Sequence, residues 1–399
     1  MFPELPPIAS PTEEVLDELA QDVDIDGMYN LPKKVRFCRD CVISNQRPRI
    51  RFDSKGVCSA CNYWKKKKKI DWSKRKRQFE RITDRHRKHN GEHDVIVPSS
   101  GGKDSVYVAL KLKREYGMTP LTVTWSPALY TKIGFENFRS HLHAGLDNVL
   151  VTPNPVTHRK LTQIATVVMG EPFQPFVYGQ ANAPLKVAAN RNITLIVDGE
   201  NGEAEYGGDV EAQNLKGFDL DDSEEYWFSN FPVEYWSKFG VQKTELHMYS
   251  PPQVADFEEG LTRIFYSYFH NWQPQAHYYF AAEHSNFKTN PRGSSEMTYS
   301  KYASLDDLID PFHYYFGLLK FGIGRATSDA AHEIRENRIT RDDAVQLVNK
   351  FDNSRPSDRA KSIFLEYTGL DHKILRESVN KWRNDRLWLD SESLAHVIE

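Results

Sequence analysis

Residues 99–105 form a glycine-rich segment whose side chains suit phosphate chemistry. The segment reads Ser99-Ser100-Gly101-Gly102-Lys103-Asp104-Ser105, follows an apolar run at 94–98 and precedes an apolar helical pattern at 106–112. Its glycines let the backbone approach an anion, and the N–H groups that begin the helix point at that anion. The serine hydroxyls and the Lys103 ammonium add donors and positive charge. The segment therefore predicts a pyrophosphate site, and an ordinary glycine turn is the alternative.

The segment differs from two other phosphate-binding loops. A Walker loop carries Ser or Thr after its Gly-Lys pair, where this chain has Asp104, and a first glycine where this chain has Val97. The third glycine of the dinucleotide-binding pattern G-x-G-x-x-G is also missing. A different phosphate chemistry is indicated.

A second polar segment follows the apolar run at 193–197 and contains three glutamates and four glycines within residues 199–208. Ligands of parallel α/β sheets bind at the carboxyl ends of strands, and both polar segments follow strands. Glu200, Glu203 and Glu205 could bind magnesium, orient a substrate or accept protons. An acidic surface turn is the alternative.

All four cysteines lie within 24 residues, unlike the cysteines of a disulfide framework. Cys38-x2-Cys41 and Cys58-x2-Cys61 are separated by sixteen residues, which is the spacing of a tetrathiolate zinc ribbon. A closed four-sulfur site has no open coordination position, so the expected role of the metal is structural. A redox-active pair, four unrelated thiols and an iron–sulfur cluster are the alternatives.

Short β-branched runs at 95–97, 121–125, 149–151 and 193–197 must position these residues. The runs are separated by segments long enough for crossover helices, as in a parallel α/β sheet. We predict an α/β fold with a doubly wound parallel sheet, an N-terminal zinc ribbon and a helical C-terminal region.

Composition divides the chain into five regions. In the last of them, Thr340 and Asp343 form a capping-box pattern that predicts the start of a helix. The regions are a loosely attached N-terminal arm (1–30), the zinc ribbon (31–64), a basic linker helix (65–90), the phosphate-binding sheet domain (91–255) and a helical, aromatic-rich C-terminal region (256–399).

The 399 residues are 39% hydrophobic and 27% charged, with a formal net charge of −3. This balance predicts a folded, soluble protein. We find no secretion signal and no apolar stretch of about eighteen residues, so we expect a cytoplasmic protein that does not enter a membrane.

Nine of the thirteen residues from Lys65 to Arg77 are basic, which we interpret as a solvated or protein-docking helix rather than a nucleic-acid surface. The fourteen histidines show no metal-ligand pattern, and we assign them no role.

The motif S-G-G-x-D-S is matched at residues 100–105, where the chain resembles the PP-loop ATP-pyrophosphatases of the adenine nucleotide alpha hydrolase-like fold. Members cleave ATP between its α and β phosphates and attach AMP to a carbonyl-type oxygen. The resemblance implies that Asp104 lies near magnesium and pyrophosphate. The implied pyrophosphate-binding residues are Ser99, Ser100, Gly101, Gly102, Lys103 and Ser105.

Over about residues 36–352, the chain resembles the N-acetyl sugar amidotransferases of bacterial surface-polysaccharide pathways, including lipopolysaccharide O-antigen and nonulosonic-acid biosynthesis. Residues 1–30 and those after about 354 match no pattern of that family. The matching motifs are the two CxxC pairs, residues 100–105, Pro172-Phe-Gln-Pro-Phe176 with Gly179-Gln180, residues 199–208, Tyr299-Ser-Lys-Tyr302 and Lys320-Phe-Gly-Ile-Gly-Arg325-Ala-Thr327.

This resemblance implies that an acetamido group becomes an acetamidino group. ATP would activate the amide oxygen of an N-acetylated sugar or nucleotide sugar as an O-adenylate, and ammonia would displace AMP. The implied cofactors are Mg²⁺ and a structural Zn²⁺ beside ATP. Ammonia would come from a separate glutaminase through a cyclase-like, ammonia-conducting subunit.

The expected site residues fall into two sets besides the pyrophosphate loop and the cysteine ligands. The catalytic set is Asp104, Lys103, Glu200, Glu203 and Glu205. The substrate-binding set is Asn201, Tyr206, Gln180, Tyr299, Lys301 and Arg325.

The number of cysteines distinguishes among PP-loop lineages. If all four thiols hold zinc, none remains for the persulfide of a tRNA-thiolating enzyme or for the nucleophile of a glutaminase. Two alternatives stay open: a tRNA-modifying enzyme that holds RNA with its ribbon and lysine run, and a scaffold that binds a nucleotide without chemistry.

Overall fold

The computed structural model describes residues 5–219, 225–228, 231–257, 260–390, 393–394 and 398. Its strands form one parallel sheet in the order β3-β2-β1-β4-β5. The strands are β1 (Val95–Pro98), β2 (Pro120–Trp125), β3 (Asp147–Val151), β4 (Leu195–Asp198) and β5 (Thr262–Phe265).

Helices connect and cover these strands. The helices are α1 (Glu13–Ala20), α2 (Ile25–Met28), α3 (Ser59–Lys67), α4 (Trp72–His86), α5 (Lys103–Glu115), α6 (Lys132–His143), α7 (Pro155–Val168), α8 (Gln174–Arg191), α9 (Lys243–Leu246), α10 (Tyr266–Phe269), α11 (Pro274–Ser285), α12 (Asp310–Phe321), α13 (Arg325–Arg335), α14 (Arg341–Phe351), α15 (Asp358–Thr368) and α16 (His372–Lys381), with a π-helix at Glu203–Gly207 and 3-10 helices at Ala212–Asn214, Val233–Phe239 and Val254–Asp256.

The central strands are buried on both faces. Val95 and Val97 of β1 pack in one apolar cluster with α5, whereas Ile96 packs in another with α7 and α8. Successive side chains of a strand point to opposite faces, so the sheet has a helical layer on each side. The predicted α/β class with a parallel sheet is confirmed.

The strand order brings the two polar segments together. After β1, the chain adds β2 and β3 on one side, and β4 then returns to pair with β1 on the other side. Ligand crevices of open parallel sheets lie at this reversal, outside the carboxyl ends of the strands. Residues 99–102 follow β1 and residues 199–202 follow β4, so both segments begin at that crevice.

The four predicted strands are confirmed within one or two residues, but the sheet continues past residue 255, where we placed the end of its domain. The fifth strand, β5, pairs with β4, and Arg263 of β5 forms an ion pair with Asp198 (Nε to Oδ2, 2.6 Å). A four-residue strand has little periodicity of its own, and its pairing with β4 stabilises it.

The predicted linker helix at 65–90 is interrupted. Helix α3 ends at Lys67 and α4 begins at Trp72. The Asp71 carboxylate accepts a hydrogen bond from the Lys74 N–H (2.9 Å) and so caps the start of α4. The predicted capping box is confirmed: the Thr340 and Asp343 side chains bond each other's backbone N–H groups at the start of α14.

The N-terminal arm packs on the domain instead of lying loosely beside it. Arg159 of α7 donates to the carbonyl of Pro6 (2.6 Å), and Gln163 donates to that of Ala9 (3.0 Å). Asp26 forms an ion pair with Arg386 (2.7 Å). The arm is therefore tied to both α7 and the C-terminal residues. No described helix has the length and apolarity needed to cross a membrane.

Candidate functional site

The turn after β1 requires glycine. Gly101 has a φ of +84°, and a Cβ atom there would lie 2.7 Å from the Phe138 Cα. A side chain would thus meet both a strained backbone conformation and the backbone of α6. The N-cap residue of α5 is Gly102, which has no side chain that could cap the helix. The start of α5 is therefore left without a side-chain cap, as suits an anion site.

Two predicted phosphate ligands brace this turn. The Ser99 hydroxyl donates to the Ser105 Oγ (2.9 Å), which donates to the Gly102 carbonyl (3.1 Å). The Gly101 N–H donates to the Ser99 Oγ (3.2 Å). In this structure, Ser99 and Ser105 hold the shape of the loop, while Ser100 lines a cavity.

A cavity of about 160 Å³ lies over the loop. Three parts of the chain line it: residues 100–104 of the loop, Gly134 and Asn137 of α6, and a C-terminal wall that includes residues 302–306 and Arg325. The wall fits closely, since a Cβ on Gly134 would lie 2.4 Å from the Asp306 Cα. Lys103 and Arg325 bring positive charge to the cavity, and Asp104 and Asp306 bring carboxylates.

Asp104 is held by two neighbours. One carboxylate oxygen forms an ion pair with the Lys103 ammonium, and the other lies 2.8 Å from the His277 Nδ1. Burial alone would raise the pKa of Asp104, but the Lys103 charge and the His277 hydrogen bond lower it to about 2. Asp104 is therefore ionised at neutral pH.

His277 has no role that we predicted from the sequence. It lies in α11, which packs against α5, and its imidazole reaches a residue 173 positions earlier in the chain. No local spacing signals this contact.

Glu200, the first glutamate of the second polar segment, has a pKa near neutrality. It follows β4, the strand that pairs with the loop-bearing β1. Burial and the negative charge of Asp104 raise the pKa of Glu200 to about 7. Such a carboxyl group can exchange a proton under physiological conditions.

The carboxylates of Glu203 and Glu205 are bound by Arg49 of the ribbon and by Lys67 at the end of α3, and they do not line the cavity. The Arg49 guanidinium pairs with Glu203 (Nε to Oε2, 3.0 Å). The Lys67 ammonium lies 2.9 and 3.1 Å from the two carboxylate oxygens of Glu205, and both side chains are 3% exposed. Asn201 also holds the second polar segment, because its side-chain amide donates to the Ala212 carbonyl (2.8 Å). These contacts fix the segment in place.

The predicted substrate-binding residues are dispersed, and Arg325 is the member of that set that lines the cavity. Its Nε lies 3.2 Å from the Asp329 Oδ1. Tyr206 packs edge-on against His332, and the Tyr299 hydroxyl donates to Glu333 (2.9 Å). Gln180 is exposed on α8, and Lys301 is exposed directly before the cavity wall at 302–306.

The four cysteine sulfurs, of Cys38, Cys41, Cys58 and Cys61, lie within 4.8 Å of one another and are buried. The edge of a zinc–sulfur tetrahedron with bonds of 2.3 Å is about 3.8 Å, and the Cys41 and Cys58 sulfurs are 3.8 Å apart. Backbone N–H groups of Asp40 and Cys58 point at the Cys38 sulfur (3.4 and 3.3 Å). The arrangement fits a structural zinc ion.

The ribbon is joined to the second polar segment. The Arg47 guanidinium donates to the Gly207 carbonyl (2.7 Å), and the Gly207 Cα lies so close to Ala60 that a Cβ would be 3.0 Å from the Ala60 Cβ. The cysteine-bearing ribbon thus packs against the segment that carries Glu200.

Comparison with known proteins gives one family match. Residues 296–398, about a quarter of the chain, match the family described as "LPS biosynthesis protein WbpG-like, C-terminal domain". No curated protein matches the chain. The matched region supplies the cavity wall at 302–306 and Arg325. The C-terminal part of the chain is therefore similar to a domain of lipopolysaccharide biosynthesis proteins, which fits a role in polysaccharide biosynthesis.

Proposed function

We propose that the protein is an ATP-dependent amidotransferase that converts the acetamido group of an N-acetyl sugar into an acetamidino group. The observation that carries this proposal is the pairing of β1 with β4, which places an S-G-G-x-D-S loop beside a glutamate with a pKa of about 7. The similarity to a lipopolysaccharide biosynthesis domain supports a carbohydrate substrate.

The cavity over the loop suits the phosphate end of ATP. The start of α5, the Lys103 ammonium and the Arg325 guanidinium favour an anion. A volume of about 160 Å³ is below the roughly 300 Å³ at which pockets for whole drug-sized ligands begin. We therefore assign the cavity to phosphates and the adjoining crevice to the nucleoside and the sugar.

Asp104 suits a divalent cation. Its low pKa keeps the carboxylate ionised, and carboxylate oxygen is a ligand that Mg²⁺ accepts. Among the described residues, the four cysteines are the one cluster of potential metal ligands, so Asp104 would share Mg²⁺ with phosphate oxygens. The phosphates would compete with Asp104 for the Lys103 ammonium. A bound Mg²⁺ would replace that positive charge beside Asp104.

The chemistry has two steps. The amide oxygen of the sugar attacks the α-phosphorus of ATP, the bond to the bridging oxygen breaks, and pyrophosphate leaves. Ammonia then attacks the activated carbon, the bond between that carbon and the adenylate oxygen breaks, and AMP leaves. Ammonia loses a proton in this step, and ionised Glu200 can accept it. A separate glutaminase would supply the ammonia, since the four cysteines are committed to one cluster.

Mass spectrometry tests the proposal. Purified protein with Mg-ATP, ammonium and a panel of N-acetylated nucleotide sugars should release AMP and pyrophosphate and yield one sugar that is lighter by about one mass unit, the exchange of O for NH. The Asp104→Asn variant should retain its fold and lose at least about 100-fold in rate, as expected for loss of a metal-binding carboxylate. Full activity of this variant would exclude the assigned role of Asp104.

A tRNA-modifying activity is the second candidate. Exposed Lys66, Lys68 and Lys69 favour it, because they present positive charge beside the ribbon. Lys67 at the centre of this run is buried against Glu205, however, so the run is partly structural. AMP release that depends on tRNA and not on sugar would favour this candidate.

A further inference from the structure

The carboxylate of Asp104 has a buried neighbour outside the phosphate loop. The His277 Nδ1 lies 2.8 Å from the Asp104 Oδ1, and the His277 side chain is 2% exposed. We infer that His277 is a positioning residue, which orients the Asp104 carboxylate to hold a divalent cation on the phosphates of ATP. This inference rests on the proposed function and adds to it a residue outside the loop motif.

The ionised Asp104 carboxylate can only accept a hydrogen bond, which sets the direction of this contact. The Gln273 N–H, at the start of α11, donates to the His277 Nε2 (3.5 Å). An imidazole nitrogen that accepts a hydrogen bond carries no proton, so the proton of the neutral ring lies on Nδ1. His277 therefore donates from Nδ1 to the carboxylate.

Aromatic neighbours hold the imidazole in place. The Tyr107 ring stacks on it at a centroid distance of 4.1 Å and an interplanar angle of 25°, and Trp272 meets it edge-on at 4.3 Å. Tyr107 lies in α5, one helical turn after Asp104. The helix that presents the carboxylate thus also helps to fix the donor that orients it. Buried donors of this kind hold metal-binding groups in a set geometry.

The two carboxylate oxygens have different neighbours. Oδ1 accepts from His277, whereas Oδ2 pairs with Lys103, a residue that itself lines the phosphate cavity. When phosphates draw Lys103 away, the bond to His277 still fixes the carboxylate plane and leaves Oδ2 open to a cation. Without His277, the carboxylate can rotate about its side-chain bonds.

Four variants separate positioning from packing. His277→Leu keeps the bulk and removes the donor, whereas H277N keeps a donor, because its side-chain amide nitrogen lies near the position of Nδ1. H277Q places its amide farther out, and it replaces His277→Leu if that variant does not fold. The control is His270→Leu, which removes a half-buried imidazole that is hydrogen-bonded to Tyr116 (2.6 Å) and lies away from the loop.

The measurements are Mn²⁺ binding by electron paramagnetic resonance in the presence of ATP, and the Mg²⁺ concentration for half-maximal AMP formation. We expect His277→Leu to weaken both by roughly 10–100-fold, with H277N within a few-fold of the wild type. The His270→Leu variant should leave both unchanged even if it unfolds at a lower temperature.

The two readouts distinguish the inference from the proposed function. Unchanged Mn²⁺ binding in a folded His277→Leu or H277Q variant overturns the inference and leaves the proposed function standing. Mn²⁺ and ATP binding by the wild type without AMP formation on any sugar overturns the proposed function alone. Absence of Mn²⁺ binding to the wild type with ATP overturns both.

Discussion

The ion pair between Lys67 and Glu205 joins the end of α3 to the segment after β4, and its removal should lower the stability of the fold. Both oxygens of Glu205 are within 3.1 Å of the Lys67 ammonium, which also lies 3.4 Å from the Trp272 carbonyl. With both side chains 3% exposed, water cannot replace the lost partner. A Lys67→Met substitution conserves most of the bulk and leaves the carboxylate buried without its counter-ion.

Removal of one partner from a buried pair costs about 3–5 kcal/mol. The Arg335 guanidinium donates to the backbone carbonyl of Glu205, and one of its terminal nitrogens is buried without a hydrogen-bond partner among the described residues. This second cation partly compensates the stranded carboxylate, so we expect a loss near 3 kcal/mol for K67M, at the lower end of that range. The double variant K67M/E205M removes both charges and should recover to within about 1 kcal/mol of the wild type.

Urea unfolding followed by tryptophan fluorescence and circular dichroism measures these free energies, provided that both probes give one coincident transition. Lys65→Met is the matched control in the same helix, because Lys65 pairs with Asp40 at the surface and its side chain is 58% exposed. That control should lose no more than about 1 kcal/mol. If K67M loses as little as K65M, the reasoning about the buried pair is refuted. Activity in K67M/E205M would further assign Glu205 to structure and not to catalysis.

Three further predictions follow from the loop, the glutamate and the metal site. Gly101→Ala should abolish ATP binding measured by calorimetry. The control Gly91→Ala, at a φ of +83° but with nothing within 4 Å of the added Cβ, should bind ATP normally. Equal ATP binding by the two variants contradicts the loop assignment. The raised pKa of Glu200 means that its carboxyl group is protonated below about pH 7 and ionised above it. The rate of amidine formation at constant free ammonia should therefore rise as the pH increases through 7. A pH profile that is unaltered in Glu200→Gln excludes Glu200 as the base. Elemental analysis of the purified protein should give one zinc per chain. Chelation of the zinc should raise hydrogen exchange at 31–64 and 199–208 before it does so in β1 to β3. Exchange that rises equally everywhere contradicts a zinc effect that is local to the ribbon and the segment packed on it.

Features that depend on local chemistry could be predicted from the sequence. The β-branched runs predicted β1 to β4, the Thr340 capping box predicted the start of α14, and the cysteine spacing predicted the clustered sulfurs. Each signal lies within a few consecutive residues, where backbone preferences and side-chain periodicity act directly. Glu200 could be proposed from its place after a strand, but its pKa depends on burial that no spacing reveals.

The contacts between charged residues depend on how distant parts of the chain pack. Glu203 and Glu205 look equivalent to Glu200 in sequence, yet Arg49 and Lys67 bind them because the ribbon and α3 pack on that segment. Likewise β5 exists through its pairing with β4, and His277 reaches Asp104 across 173 residues because α11 packs on α5. Local propensities cannot encode such contacts, since they arise only when the chain folds and buries distant surfaces against one another.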